Sequence, residues 1–158
     1  MRAAINAAGV VRVAPLLDGA GAEYQGPLDV HYFGALWLCR AAWPHLRQSG
    51  TGAVLNTVST AMLGNPMLVH YGASKGAVLG LTRNLAVEGA VDGIRVNAVA
   101  PGASTRMGEA AEAALTPEVL EYVRTQMSPS LVAPAGAYLV HPSCTANGET
   151  FTVAAGIV

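Results

Sequence analysis

The chain has 158 residues, 52% of them apolar and 12% charged, with a net charge of −1. That length holds one domain with a sizeable core and is too short for two comfortable ones. Without a Lys/Arg cluster there is no electrostatic footprint for nucleic acid or an anionic membrane, and Arg40, Arg83, Glu88 and several prolines interrupt every apolar run short of bilayer length.

In chain order, residues 2–9 form a short apolar run closing in Asn6-Ala7-Ala8-Gly9, the pattern of a buried strand that delivers the chain into a tight turn. Residues 10–27, rich in Gly and Pro, read as a surface loop with at most one helical turn. Gly19-Ala20-Gly21 follows no strand and opens no convincing helix. Residues 28–47 are helical in pattern and apolar on nearly every side, which demands cover on both faces, from the chain's own sheet and from another subunit. Ser49-Gly50-Thr51-Gly52 then supplies the glycines of a helix C-cap.

Residues 53–58 are small and β-branched, a strand that ends where Ser59 and Thr60 introduce hydroxyls. A loop over 61–70 leads to a second long helix at about 71–89. Its Gly72, Ala73, Gly76, Ala77 and Gly80 recur at spacings that admit a second backbone, and close packing has to compensate for the weak helix propensity of the glycines. Residues 93–99 read as a third strand stopping at Pro101-Gly102. Residues 108–127, the most charged stretch, read as one or two short lid helices. A short helix at 134–141 and a strand at 149–153 close the order. Strands alternating with helices predict an α/β fold with a parallel sheet.

The chemistry concentrates in Tyr71-Gly72-Ala73-Ser74-Lys75. Four residues apart on a helix, Tyr71 and Lys75 share one face. A free phenol, with a pKa of about 10, is a poor base at neutral pH, and a nearby ammonium favours the phenolate. Ser59 stands at the carboxyl end of a strand, where open parallel sheets bind ligands, and offers a hydroxyl to hold a substrate oxygen. Together these groups suit proton transfer to or from an alcohol or ketone. Two cysteines, Cys39 and Cys144, and four histidines show no metal-ligand spacing, and without a secretory pattern they point to a reducing cytoplasm.

The turn Asn6-Ala7-Ala8-Gly9, Ser59, the Tyr71-x-x-x-Lys75 pair, Arg95-Val96-Asn97-Ala98-Val99, and Pro101-Gly102 followed by Thr105 together resemble the short-chain dehydrogenase/reductase family, in its order and near its spacing. Asp29-Val30-His31, Arg40-Ala41-Ala42-Trp43, residues 100–107 and residues 147–158 look most like members of the (3R)-hydroxyacyl-CoA dehydrogenase type. The resemblance implies an NAD(P)-dependent oxidoreductase that interconverts a secondary alcohol and a ketone, with a 3-hydroxyacyl-CoA as one candidate substrate, and a homo-oligomer paired through its two long helices.

By the same resemblance Tyr71 is the acid/base, Lys75 supports it and binds the nicotinamide ribose, and Ser59 holds the substrate oxygen. Asn6, Gly9, Pro101, Gly102 and Thr105 lie along NAD or NADP. His31 stands where many relatives carry the Asn of a proton relay, and a plain packing role is an equal alternative. Ala7 replaces the second Asn of the family turn. Ser59 precedes Tyr71 by one residue fewer than usual, which leaves Thr60 as an alternative hydroxyl.

Relatives open with a glycine-rich strand-turn-helix that holds the dinucleotide pyrophosphate. The 158 residues contain none. The expectation is therefore a partial Rossmann-like doubly wound sheet, a single incomplete domain over 1–158 without its first three strands. A non-catalytic remnant or subunit-assembly module without cofactor binding is the alternative.

Overall fold

The structure, a computed structural model, describes residues 1–108 and 115–158. Four strands, β1 (Ala3–Asn6), β2 (Ala53–Thr57), β3 (Arg95–Gly102) and β4 (Thr150–Ala154), form one sheet in the order β1-β2-β3-β4, every pair parallel. Parallel neighbours require crossover segments, and helices supply them. The first crossover runs through α1 (Gly21–Leu28), a π-helical turn (Asp29–Phe33) and α2 (Gly34–Ser49). The second is α3 (Val69–Gly89), and the third carries α4 (Pro117–Gln126) and α5 (Ala133–Val140).

Alternation along the strands assigns the two faces. Val54 and Val96 join Ala4, Cys39, Leu46, Ala86 and Ile94 in one core, while Val58, Ala98 and Ala100 pack with Val78 of α3 on the same side. Leu55, Val99 and Val153 point the other way, onto Leu139 of α5. With helices on both faces, β2 is buried along nearly its whole length, which explains its unbroken apolar reading. Cys39 and Cys144 are both buried and free, and burial pushes the Cys39 thiol up to about 11.

Buried polar groups tie the sheet to its last crossover. Arg95, at the start of β3, donates to the carbonyls of Leu139, His141 and Ala146, satisfying the end of α5 and the turn beyond it. Asn97 donates to Ala146 and accepts from Glu149 N–H, and Asn147 bridges Val96 N–H to the Ala86 carbonyl. The Arg95-Val96-Asn97 stretch thus fixes where β4 begins.

Two expectations need correction. Gly19-Ala20-Gly21 does open a helix: α1 starts at Gly21, and the Glu23 carboxylate accepts Ala20 N–H at 2.9 Å. Strand β3 continues through Pro101-Gly102 and pairs there with Val153 and Ala154. The chain itself covers one face of α2, through Ala35, Cys39, Ala42 and Leu46, and leaves Trp37 54% exposed beside Phe33 and Leu38. Gly50 in the left-handed region ends α2 as its C-cap role requires. Of the stretch 108–127, residues 117–126 form the helix α4, while residues 109–114 lie outside the described residues.

Candidate active site

At the carboxyl ends of the strands lies a cleft of about 1180 Å³. Ser59, Tyr71 and Lys75 all line it, joined by Gly9 from the turn after β1 and by Pro101 and Thr105 from the end of β3. With Pro129 and Ala133 of the third crossover, five separate segments converge on one cavity. A volume above the usual range for a single small ligand leaves room for a substrate beside a larger group.

Lys75 is 3% exposed and donates to the Thr57 carbonyl at 2.9 Å, which fixes its ammonium at the end of β2. The Nζ lies 5.8 Å from the centroid of the Tyr71 ring. Burial lowers Lys75 to about 8, so the ammonium still predominates at neutral pH. Tyr71 is half-buried, and the close approach of α3 to the preceding turn depends on Gly72. A Cβ at Gly72 would lie 2.6 Å from the Ala61 carbonyl oxygen. Ser59 caps the short 3-10 turn Thr60–Leu63 by accepting Ala61 N–H at 3.2 Å. It therefore meets the cleft from a fixed backbone, whereas Thr60 is exposed and does not line the cavity.

His31 is 1% exposed and packs against Tyr71, its ring edge-on to the phenol ring at 5.4 Å. Val10 N–H donates to Nε2 at 3.0 Å, so that nitrogen carries no proton. Nδ1–H then donates to Ser74 Oγ at 2.7 Å, and Ser74 donates to the Tyr71 carbonyl. Burial first, and then the Lys75 charge, lowers His31 to about 4. The neutral imidazole connects the loop after β1 to the helix that carries Tyr71. Proximity to Gly9 is part of the same fit, since a Cβ there would meet Nε2 at 3.3 Å.

Asn6 and Gly102 do not line the cavity. The Asn6 side chain turns back to accept Ala8 N–H, and its carbonyl accepts from Thr57 Oγ1 at 2.7 Å, so it shapes the turn. Gly102 permits contact with β4 and α4, where a Cβ would stand 2.9 Å from Ala154 Cβ and 3.0 Å from Met127 Cε. Arg12, Arg106 and Met107 line the cleft without having been singled out from the sequence. Arg12 and Arg106 are separated in sequence and meet only through the fold. Their one legible signal was position, each just beyond a turn that closes a strand. Among the described residues no cluster of His, Cys, Asp or Glu suits a metal ion.

The chain is 37% identical over 155 residues to a short-chain type dehydrogenase/reductase of Mycobacterium tuberculosis, spanning 98% of this chain and 52% of that protein. It is also 37% identical over 153 residues to the peroxisomal hydratase-dehydrogenase-epimerase of Saccharomyces cerevisiae, of which it spans 16%. Among solved structures, the full-length peroxisomal multifunctional enzyme type 2 of Drosophila melanogaster superposes with a TM-score of 0.83 at 30% identity, over 97% of this chain and 26% of that one. ElxO with NADP bound gives a TM-score of 0.83 at 25% identity, over 98% and 66%. The chain thus spans about half or less of the curated relatives it matches. The pattern of the short chain dehydrogenases fits residues 2–115, most of the chain and every strand but the last, and the protein belongs to that family.

Proposed function

We propose that this chain carries the catalytic half of an NAD(P)-dependent oxidoreductase that interconverts a secondary alcohol and a ketone. The observation that supports it most is the buried Lys75 ammonium held beside the Tyr71 ring in a cleft that Ser59 also lines. Tyr71 exchanges a proton with the substrate oxygen, Lys75 favours the phenolate, and Ser59 donates a hydrogen bond to the same oxygen. When bound, the nicotinamide dinucleotide supplies the hydride acceptor or donor. Gly9, Lys75, Pro101 and Thr105, which line the same cavity, are the residues that would hold its nicotinamide end. Asn6 and Gly102 serve that end indirectly, through the turn and the β3–β4 contact. We assign His31 to positioning, because both of its ring nitrogens are engaged away from the phenol oxygen. The yeast and fly relatives make a 3-hydroxyacyl-CoA the first substrate to test.

A second reading, a subunit-assembly module without cofactor binding, is favoured by the exposed Phe33, Trp37 and Leu38 and by the open space over Gly80 of α3, where an added Cβ would meet nothing within 4 Å. Titration of NADH and NADPH into the 158-residue chain separates the two. Saturable binding followed by reduction of 3-oxoacyl thioesters supports the enzyme, and a well-folded chain that binds neither dinucleotide supports the module. In the active protein Tyr71→Phe is expected to lower turnover at least about 100-fold with the fold retained. Unchanged turnover removes Tyr71 from the chemistry.

A further inference from the structure

Among the described residues every charged side chain lining the cleft is cationic: Arg12, Lys75 and Arg106, with no carboxylate beside them. Lys75 is committed to the Thr57 carbonyl, whereas among the described residues the Arg12 side chain bonds only the Val11 carbonyl and the Arg106 side chain meets no hydrogen-bond or ion-pair partner. Among the described residues the salt bridge Arg47–Asp92 lies elsewhere on the surface, and two guanidinium groups without a described carboxylate partner at one cavity form a local positive field.

The two arginines stand on neighbouring lips of the cleft. A Cβ on Gly9 would lie at ordinary contact distance, 3.7 Å, from Met107 Cε. Arg12 follows Gly9 by three residues, and Arg106 precedes Met107. The Arg12 lip is anchored to the catalytic helix: His70 Nε2 donates to the Arg12 carbonyl at 3.1 Å, and Ala14 N–H donates to the Met67 carbonyl at 3.0 Å. His70 immediately precedes Tyr71. The position of Arg12 is therefore coupled to the reacting end of the cleft.

From this geometry we infer that Arg12 and Arg106 form an anion subsite on the substrate side of the cleft, taking a ketone or secondary alcohol that bears a carboxylate or phosphoryl group. Forked guanidinium donors match both groups in shape and charge. The rest of the lining, including Leu55, Val99, Val132 and Ala137, is apolar and suits the carbon chain of such a molecule. The inference rests on the oxidoreductase reading for the nature of the reacting group.

The test is binding, read without turnover, so that it succeeds or fails separately from the oxidoreductase assay. Isothermal titration of 3-oxooctanoate, its methyl ester, octyl phosphate and NADPH is carried out on the 158-residue chain and on Arg12→Gln and Arg106→Gln. Both arginines are exposed, and the variants are expected to fold. At least one anion is expected to bind, with each substitution weakening it about tenfold or more and leaving the ester unchanged. Whether 3-oxooctanoate or octyl phosphate shows that dependence identifies the head group. Failure of both anions to bind the unaltered chain overturns the inference, as does binding that the substitutions leave intact. Weakening confined to NADPH also overturns it, since the arginines would then serve the phosphates of the dinucleotide.

Discussion

His31 converts its position in the chain into a pH dependence. Its ring is held near pKa 4, below the ordinary 6.5, by burial and by the Lys75 charge. Between those values the unfolded chain binds a proton that the folded chain refuses, so stability is full above about pH 6.5 and falls as pH drops toward 4. The loss from this one group amounts to roughly 2–3 kcal/mol. Urea unfolding at pH 7 and pH 4.5 checks it. The drop in midpoint is expected to be smaller in His31→Gln than in the unaltered chain, and equal drops would remove His31 as the cause. The Tyr71–Lys75 pair was legible from the sequence because helical spacing alone brings the two side chains to one face. The second role of His31 was not, since Val10 and Ser74 reach it from distant segments.

The glycines of α3, one element with an unusual number of weak helix formers, do not share one task. Gly72 is required by contact, because its Cβ would sit 2.6 Å from backbone at Ala61, in a turn that Ser59 caps. Gly72→Ala gains up to about 1 kcal/mol of helix propensity and loses more to the clash, for a net destabilisation of roughly 1–2 kcal/mol. Thermal unfolding measures this, and a raised midpoint would mean that the turn yields freely. Because Ser59 shares that turn, the same substitution is expected to reduce turnover beyond its effect on stability. A Cβ added at Gly76 or Gly80 would meet nothing within 4 Å beyond the helix itself, so of the glycines in the stripe only Gly72 is required by contact within this chain. Helix α1 escaped the sequence reading for a related reason. Gly21, Gly26 and Pro27 carry loop propensity, and tertiary contacts override it, including the edge-on packing of Tyr24 against His70. The π-helical turn that follows α1, where His31 lies, has no sequence signature in its composition.

At the scale of the molecule, the parallel order of the strands was readable because β2 and β3 are apolar runs separated by a helical one, and such runs require crossovers. The cleft itself was readable only in part. Ser59, Lys75 and Pro101 are fixed by strand ends, whereas Arg12 and Arg106 depend on the paths of two loops. The exposed side of α2 leads to a further prediction. If Phe33, Trp37 and Leu38 pair subunits, sedimentation of the chain gives an oligomer, and Trp37→Glu shifts it toward the monomer. A monomer at micromolar concentration before any substitution would leave the module reading without support.

The registers of the sheet have a consequence for how the chain reaches this structure. Ala3 lies beside Ala53, Ala53 beside Arg95, and Ala98 beside Thr150, so each strand waits for a partner roughly 40–50 residues further on. Among the four described strands every pair is parallel, so none of them forms an early hairpin that could serve as a template. Chain closure has to be completed before pairing returns any free energy, which places refolding toward milliseconds or longer. During synthesis β1 is made about 50 residues ahead of β2 and has to wait for that partner to leave the ribosome. The same topology that gathers five distant segments around one tyrosine therefore makes the newborn chain dependent on its late-arriving strands.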